Sequence, residues 1–220
     1  MNKYIDHTLL KANATSSDIK KLCEEAIQYD FMSVCVNPCY VGYAKELLSN
    51  SNVLVCTVIG FPLGANSIEI KQAETIDAIN NGADEIDMVI NIGAAKEHNY
   101  DYLLEEIKAV VSVALGKTVK VIIETCYLTD EEKNELCRVA TLAGAHFVKT
   151  STGFGSGGAT VHDVSLMRKA IYPEMSVKAS GGIRTKEEMI KMIEAGASRI
   201  GTSSGTTIIG GKEKDGYSSY

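Results

Sequence analysis

The chain has 220 residues, of which 45% are hydrophobic and 23% charged, and its net charge at pH 7 is −6. This length suits one globular domain, and the acidic charge argues against nucleic acid or an anionic membrane as the main partner. The N-terminus has no apolar signal core, and no run approaches the ~20 apolar residues of a membrane span, so we expect a cytoplasmic protein that acts on a small molecule.

Strands and helices alternate along the first half of the chain. Short apolar or β-branched runs predict strands at residues 4–9, 32–36, 53–59 and 85–91. The box Thr15-Ser-Ser-Asp18 predicts the start of an amphipathic helix. Further helices are predicted at residues 38–48, 67–80 and 102–115, the last one closed by Gly116. The first half therefore contains four strand–helix units.

The second half continues the same alternation. Strands are predicted at residues 118–124, 146–149, 177–179 and 199–201. Three more threonine capping boxes predict helix starts, at Thr129, Thr160 and Thr185. A strand followed by a helix, repeated eight times with strands too apolar to alternate, predicts a parallel sheet.

A near-repeat supports this assignment. Gly-Ala at a predicted helix end is followed by a short strand in three segments, Gly82-Ala-Asp-Glu-Ile-Asp87, Gly144-Ala-His-Phe-Val-Lys149 and Gly196-Ala-Ser-Arg-Ile-Gly201. Eight units in this length favour a single (β/α)8 barrel over residues 1–209, with a polar tail at 210–220; an open doubly wound sheet is the alternative. Both folds place ligands at the carboxyl ends of the strands, so the sixth residue of each repeat should lie at one mouth.

Three ionisable side chains stand at or near these strand ends, namely Asp87, Lys149 and Lys178. An ordinary lysine is almost fully protonated at pH 7 and is a poor nucleophile. Burial and a second cation both favour the neutral amine, so Lys149 beside Lys178 suits Schiff-base chemistry, with Asp87 as the proton-transferring carboxylate. Singly, each residue is more often a solvated charge or part of a structural ion pair; the three together favour catalysis.

Small-residue loops follow the last two predicted strands. Ser180-Gly-Gly182 and Thr202-Ser-Ser-Gly205 each precede a helix or helical turn, where barrels commonly bind phosphate through backbone N–H groups. Glycines after a strand can also serve only to turn the chain. The pair of loops predicts a phosphate site.

The remaining polar residues give weaker indications. The six cysteines have no close C-x-x-C pair and no histidine at zinc-ligand spacing, which indicates reduced thiols and no metal site. His98 and His162 are expected in solvent, and His146 is expected to face the helices. Lys120 and Glu124 are expected to form a charge network supporting Asp87.

Five segments together resemble the deoxyribose-phosphate aldolase family, collinearly from the first strand to the last. They are Asp6-His-Thr-Leu-Leu-Lys11, Gly82-Ala-Asp-Glu-Ile-Asp-Met-Val89, Val121-Ile-Ile-Glu-Thr125, Phe147-Val-Lys-Thr-Ser-Thr-Gly-Phe154 and Val177-Lys-Ala-Ser-Gly-Gly-Ile-Arg184. The resemblance implies a (β/α)8 barrel that reversibly cleaves 2-deoxy-D-ribose 5-phosphate to acetaldehyde and D-glyceraldehyde 3-phosphate without a metal or other cofactor. It also implies a homodimer or larger homo-oligomer.

The resemblance also assigns roles to individual residues. Lys149 is similar to the family's Schiff-base lysine, Lys178 to the lysine that perturbs it, and Asp87 to the proton donor and acceptor. The terminal Tyr220 is similar to a tyrosine that assists proton transfer. The implied phosphate contacts are Gly153, Gly181, Gly182, Ser203 and Ser204.

One position departs from the family pattern. Some relatives have a lysine where this chain has Phe154, so one charged phosphate contact is expected to be missing. The alternatives left open are a sugar-phosphate isomerase that uses Asp87 as its base and a non-catalytic sugar-phosphate sensor.

Overall fold

A computed structural model describes residues 1–210 of the chain. Over this range eight parallel strands pair in chain order, and the last pairs with the first to close a barrel. The strands are β1 (Ile5–Leu9), β2 (Ser33–Val36), β3 (Leu54–Ile59), β4 (Glu85–Val89), β5 (Thr118–Ile122), β6 (Phe147–Lys149), β7 (Ser176–Ser180) and β8 (Ala197–Thr202). The predicted barrel is confirmed, and the open sheet is excluded.

Helices cover the outside of the barrel. They are α1 (Ser16–Gln28), α2 (Val41–Leu47), α3 (Ile68–Asn80), α4 (Ile92–Lys96), α5 (Tyr100–Val113), α6 (Asp130–Leu142), α7 (Val161–Ala170), α8 (Lys186–Glu194) and α9 (Gly205–Ile208). No helix within residues 1–210 is long and apolar enough to cross a membrane. Apart from Gly210, the predicted tail lies outside the described residues, and Tyr220 lies outside them too.

The capping boxes mostly form as predicted. Thr15, Thr129 and Thr185 each make the reciprocal pair of bonds with the residue three positions later. Thr160 makes only half of the box: its hydroxyl oxygen accepts the N–H of Asp163, whose carboxylate binds the Lys133 amine at 2.6 Å. An ion pair to the neighbouring helix thus replaces the second capping bond.

Helix α4 is a difference from the sequence prediction. The side chain of Asn91, predicted as the end of a strand, instead accepts the N–H of Ala94 and caps this five-residue helix. The helix is too short to show an amphipathic period, so the apolar pattern does not reveal it.

The near-repeat marks equivalent turns of the barrel. Gly82, Gly144 and Gly196 have φ values of 101°, 80° and 113°, a region in which a residue with a Cβ is strained. Each glycine ends a helix and returns the chain to the next strand. The residue four positions later, Ile86, Val148 or Ile200, is fully buried in the core.

The strand register places the inward-facing side chains in layers. In an eight-stranded barrel of shear 8, positions at one height advance about one residue per strand, and alternate strands share a layer of four side chains. The pairing gives an upper layer of Cys35, Asp87, Lys149 and Gly201, a middle layer of Asp6, Cys56, Lys120 and Lys178, and a lower layer of Ser33, Glu85, Phe147 and Arg199. The sixth residues of the three repeats share the upper layer, and the fourth residues share the lower one.

These layers explain an unusual barrel interior. Bulky branched apolar residues dominate most such barrels, whereas the layers here hold seven charged side chains. The seven are Asp6, Glu85, Asp87, Lys120, Lys149, Lys178 and Arg199, each at most 4% exposed. The apolar core lies between strands and helices, which leaves the barrel axis for polar chemistry.

Candidate active site

Lys149 ends β6 and meets both of its predicted partners. Its Nζ lies 2.8 Å from Asp87 Oδ2, and Lys178 Nζ lies 2.7 Å from the same oxygen. Lys178 is also the direct pairing partner of Lys149 on β7. The structure therefore gathers Asp87, Lys149 and Lys178 at one point.

Gly201 is the member of the upper layer that lacks a side chain. A Cβ built on Gly201 would lie 3.1 Å from Lys178 Cε and 3.0 Å from Ser180 Cβ. A larger residue would therefore crowd the Lys178 side chain. The glycine leaves room for Lys178 to reach Asp87.

Lys120 connects Asp87 to the charges deeper in the barrel. Its Nζ lies 2.8 Å from Asp87 Oδ1 and 2.7 Å from Glu85 Oε2. Glu85 also forms an ion pair with Arg199. The expected support of Asp87 by Lys120 is confirmed. Glu124 does not join it, because β5 ends at Ile122 and the Glu124 carboxylate binds Thr152 instead.

Asp6 closes the network between the first and last strands. One of its carboxylate oxygens accepts hydrogen bonds from Ser33 Oγ at 2.7 Å and Arg199 Nε at 2.9 Å. The other lies 2.6 Å from Lys178 Nζ. Asp6 thus neutralises both Lys178 and Arg199.

The buried charges shift the pKa values of Asp87 and Lys178 in opposite directions. Burial opposes ionisation of Asp87, but Lys120, Lys149 and Lys178 outweigh this and hold its pKa well below the ordinary value. Burial also opposes the charge on Lys178, but Asp6 and Asp87 raise its pKa above the ordinary value. Asp87 therefore stays ionised, and Lys178 stays a permanent cation beside Lys149.

Lys149 is the unmatched cation of this cluster. Asp6, Glu85 and Asp87 supply three negative charges, which Lys120, Lys178 and Arg199 balance. Protonated Lys149 adds a fourth positive charge in a buried site. Lys149 is therefore the basic side chain in excess in this cluster, and a Schiff-base nucleophile is such a lysine amine.

Asp6→Asn is expected to lower the free energy of unfolding by about 3–5 kcal/mol, because Lys178 and Arg199 would stay buried without a full counter-charge. The pKa of Asp6 is lowered in the folded state: burial raises it, but Lys178, Arg199 and Lys120 lower it further. The stabilisation is therefore fully present above the ordinary value of 3.8 and is lost as the pH falls through the folded-state pKa.

Denaturant unfolding of both proteins from pH 7 to pH 2 measures this effect. The difference between them should stay constant down to about pH 5 and narrow below about pH 4. A difference that grows in acid would contradict the ion-pair assignment.

A pocket opens at the carboxyl ends of the strands, and Lys149 lies at its floor. Of the three predicted catalytic residues, Lys149 lines this pocket, whereas Asp87 and Lys178 are fully buried and do not line it. The lining residues are Thr8, Leu10, Lys149, Thr152, Gly153, Ser180, Gly181, Gly182, Ile183, Arg184, Gly201, Thr202 and Ser203. A substrate in the pocket would therefore meet the Lys149 amine first.

The predicted phosphate contacts are mostly placed at this pocket. Gly153, Gly181, Gly182 and Ser203 line it. Ser204 is half-buried, is not among the lining residues, and donates its N–H to Thr202 Oγ1 at 2.9 Å. Gly181 and Gly182 have φ values of 84° and 80°, a backbone conformation that glycine adopts without strain.

A cationic side chain, Arg184, lines the pocket, whereas Phe154 does not. The Phe154 ring packs edge-on against Phe61, with the ring centroids 5.3 Å apart, and is not part of the pocket lining. Arg184 follows the two glycines and lines the pocket. The available sequence signal for this position was a lone basic residue just after the Gly181-Gly182 loop.

Asp6, Glu85, Arg199 and Cys56 are members of the cluster that the sequence analysis did not select. Glu85 and Arg199 occupy the same fourth position of the near-repeat, and the structure pairs them. Charged residues at matching positions of two buried strands were the available signal. Asp6 and Thr8 are two residues apart on the first predicted strand and so share one face of it, which is a weaker signal.

Among the described residues the cysteines form no disulfides, and two of the histidines, His98 and His162, lie at the surface. Within residues 1–210 the six cysteines are free. Cys35, Cys56 and Asp87 lie close enough to share a metal ion, but Lys120 contacts both Cys56 and Asp87, which disfavours a divalent cation. His98 and His162 have side chains 63% and 66% exposed, as predicted.

Comparison with known proteins gives a consistent result. Residues 1–211 match the family described as DeoC/LacD family aldolase. A protein of Streptococcus suis (strain 98HAH33) called deoxyribose-phosphate aldolase is 61% identical over 216 residues, covering 98% of each chain. One of Finegoldia magna with the same name is 61% identical over 211 residues, covering 96% of this chain and 99% of its own.

A solved structure agrees with the fold. The tetrameric deoxyribose phosphate aldolase of Aeropyrum pernix superposes with a TM-score of 0.89 at 34% identity, covering 94% of this chain and 88% of that one. The barrel and its closure therefore recur in a relative whose sequence has diverged considerably.

Proposed function

The chain belongs to the DeoC/LacD family of aldolases, and from this premise we propose that it cleaves 2-deoxy-D-ribose 5-phosphate reversibly through a Schiff base on Lys149. The observation that supports this most strongly is a buried lysine amine at the floor of a pocket, 2.8 Å from a carboxylate that two further lysines keep ionised. The products are acetaldehyde and D-glyceraldehyde 3-phosphate, so the enzyme is a carbon–carbon lyase.

The first steps form an iminium ion between Lys149 and the substrate, which then accepts electrons from the bond that breaks. Neutral Lys149 adds to C1 of the open-chain aldehyde, and loss of water gives an iminium ion. Asp87, through a water molecule, takes the proton of the C3 hydroxyl while the C2–C3 bond breaks. Because the iminium accepts the electron pair of that bond, the reaction requires no metal or other cofactor.

The later steps release acetaldehyde. The enamine on Lys149 takes a proton at C2, and hydrolysis of the resulting iminium frees the amine. The family resemblance assigns this protonation to Tyr220, which lies outside the described residues and stays a prediction. An isomerase with Asp87 as its base has weaker support, because the family model and the similar proteins are aldolases.

Reductive trapping tests the Schiff base. Incubation with acetaldehyde and cyanoborohydride should add an ethyl group to Lys149, which peptide mass spectrometry locates. Omitting the aldehyde is the control, and release of acetaldehyde from 2-deoxyribose 5-phosphate confirms the reaction. A label on Lys178, or none at all, would contradict the assignment.

Phosphate binding at the far end of the pocket is expected to depend on Arg184. Arg184→Ala should raise KM for 2-deoxyribose 5-phosphate by about 10–100-fold, the loss of one charge-assisted hydrogen bond or ion pair. The matched substrate control is 2-deoxyribose, which lacks the phosphate and should be cleaved equally well by both proteins. Equal losses with both substrates would show that Arg184 supports the fold instead.

The oligomer and the compartment are the remaining parts of the proposal. We expect a homodimer or larger assembly, since a relative forms tetramers and helix α3 carries the exposed apolar residues Ile70 and Ile76. Light scattering on the purified protein measures the assembly. Fractionation of cells is expected to find the enzyme in the cytoplasm.

A further inference from the structure

Glu124 is a buried carboxylate near the pocket that the mechanism above does not use. It follows β5 with φ of 56°, a left-handed backbone conformation that is uncommon for a residue with a Cβ. Residues held in this way cost about 1–3 kcal/mol each and cluster at functional sites. The side chain is 2% exposed and does not line the pocket itself. Any role of Glu124 in the reaction must therefore pass through the residues that it binds.

The carboxylate of Glu124 binds a single residue, Thr152, through two donors. Its oxygens accept the Thr152 N–H at 3.2 and 3.3 Å, and Oε2 also accepts the Thr152 hydroxyl. An ionised carboxylate accepts hydrogen bonds on both oxygens, whereas a carboxamide accepts on one. A glutamate is therefore the side chain that suits both donors of Thr152 at once.

The bonds of Thr152 fix the backbone on both sides of Gly153. The Thr152 N–H is held by Glu124, and Thr152 Oγ1 accepts the N–H of Phe154 at 3.0 Å. Gly153 lies between these two bonds with φ of 87° and lines the pocket. Glu124 thus determines, through Thr152, where the Gly153 peptide group points.

Four pocket-lining residues carry backbone N–H groups that find no acceptor within residues 1–210, namely Gly153, Gly181, Gly182 and Ser203. Backbone N–H groups that converge on a concave site bind anions. Arg184 lines the same pocket and adds a positive charge. These donors suit the oxygen atoms of one phosphate group.

The loop that carries Gly153 is anchored at both ends on the loop after β7. Thr150 Oγ1 donates to Ser180 O at 3.0 Å and accepts the Ser180 N–H at 3.1 Å. At the other end, the N–H of Ala159 donates to Ser180 O at 3.1 Å and to Gly181 O at 3.0 Å. Glu124 holds the loop between these anchors, at the part that faces the pocket.

We propose that Glu124 is a positioning residue for phosphate binding. By holding Thr152, it sets the Gly153 N–H at the distance from Gly181 and Gly182 at which all three can donate to one phosphate group. The carboxylate acts on the loop and takes no part in proton transfer. This inference rests on the phosphate site of the proposed function.

The Michaelis constants of two substrates test this role. Glu124→Gln keeps the size of the side chain but loses one acceptor oxygen. KM for 2-deoxyribose 5-phosphate should rise by about 10-fold, the effect of one unsatisfied buried hydrogen bond. KM for 2-deoxyribose, which lacks the phosphate, should stay at the parent value. Because KM does not depend on the fraction of folded protein, a loss of yield cannot imitate this result.

Binding of inorganic phosphate gives a second measurement, which requires no turnover. Calorimetric titration should show about 10-fold weaker phosphate binding to Glu124→Gln than to the parent protein. Glu106→Gln is the matched control: Glu106 is also buried and accepts a loop N–H, that of Asn91 at 2.9 Å, but it does not line the pocket or contact Thr152. It should leave the ratio of the two KM values and the phosphate affinity unchanged.

A double variant tests whether Glu124 acts through Thr152. Thr152→Val removes the hydroxyl that joins Glu124 to the Phe154 N–H. If the two residues act as one unit, Glu124→Gln combined with Thr152→Val should raise KM for 2-deoxyribose 5-phosphate no further than Thr152→Val alone. Fully additive increases would show that Glu124 acts by another route and would overturn the inference.

The remaining outcomes are distinguishable. Parent-like KM values and phosphate affinity in Glu124→Gln overturn the role of Glu124. An equal rise of KM for both substrates would show that Glu124 supports the whole pocket, and this too overturns the inference. Failure of the parent protein to be trapped at Lys149 removes the proposed Schiff-base reaction, and the phosphate titration still decides the role of Glu124 in that case.

Discussion

Replacing Lys149 by methionine is expected to abolish turnover and to leave the folded protein at least as stable as the parent chain. We expect kcat to fall by roughly 10⁴-fold or more, as when a catalytic nucleophile is removed. The methionine keeps the apolar stem of the side chain. Asp87 retains Lys120 and Lys178, at 2.8 and 2.7 Å, so no buried carboxylate loses all of its partners.

The expected free energy of unfolding of Lys149→Met is unusual for a variant that breaks a buried ion pair. Breaking such a pair normally costs about 3–5 kcal/mol. Here the variant removes the unmatched charge, so the free energy of unfolding should be unchanged or rise by about 1 kcal/mol. Denaturant unfolding at pH 7 measures it, beside the assay for acetaldehyde release. A loss of several kcal/mol would show that Lys149 is a structural cation.

Replacing Lys178 by methionine is the matched experiment and is expected to destabilise the protein. Asp6 Oδ2 loses the amine at 2.6 Å, and its next lysine, Lys120, lies at 4.0 Å. The free energy of unfolding should fall by about 3–5 kcal/mol. Lys149 and Lys178 bind the same oxygen of Asp87, yet the change in the free energy of unfolding should differ in sign or size between the two variants.

The same variant should move the pH dependence of catalysis. Without Lys178, the three carboxylates are balanced only when Lys149 carries its proton, so the neutral amine requires more alkaline solution. The ascending limb of kcat/KM against pH should shift upward by about 1–3 units, and the rate at pH 7 should fall. If kcat/KM falls by the same factor at every pH, Lys178 contributes only by positioning other groups of the site.

The sequence predicted those parts of the molecule that depend on local pattern. Strand and helix order follow from apolar runs and threonine caps, and the barrel follows from their count. Lys149, Lys178 and Asp87 could be selected because each is a charged residue at or near the carboxyl end of a largely apolar strand. Their proximity was predicted because the carboxyl ends of all strands in a parallel barrel lie at the same end of the barrel.

Other parts depend on the register of a closed barrel. Asp6 and Arg199 lie at opposite ends of the chain and meet only because β8 pairs with β1. Glu124 was assigned to strand five by alternation, but the strand ends at Ile122 and the backbone turns into the left-handed region. Alternation cannot indicate such a turn, so the contact with Thr152 could not be read from the sequence.

The pairing of Asp6 with Lys178 and Arg199 has a consequence for synthesis of the chain. The first strand emerges from the ribosome long before the eighth, and the charge cluster around Lys149 is complete only when both are docked. A nascent or truncated polypeptide that lacks β8 therefore also lacks Arg199, one of the two cations that Asp6 binds. Assembly of the site around Lys149 waits in this way until the ring of strands has closed.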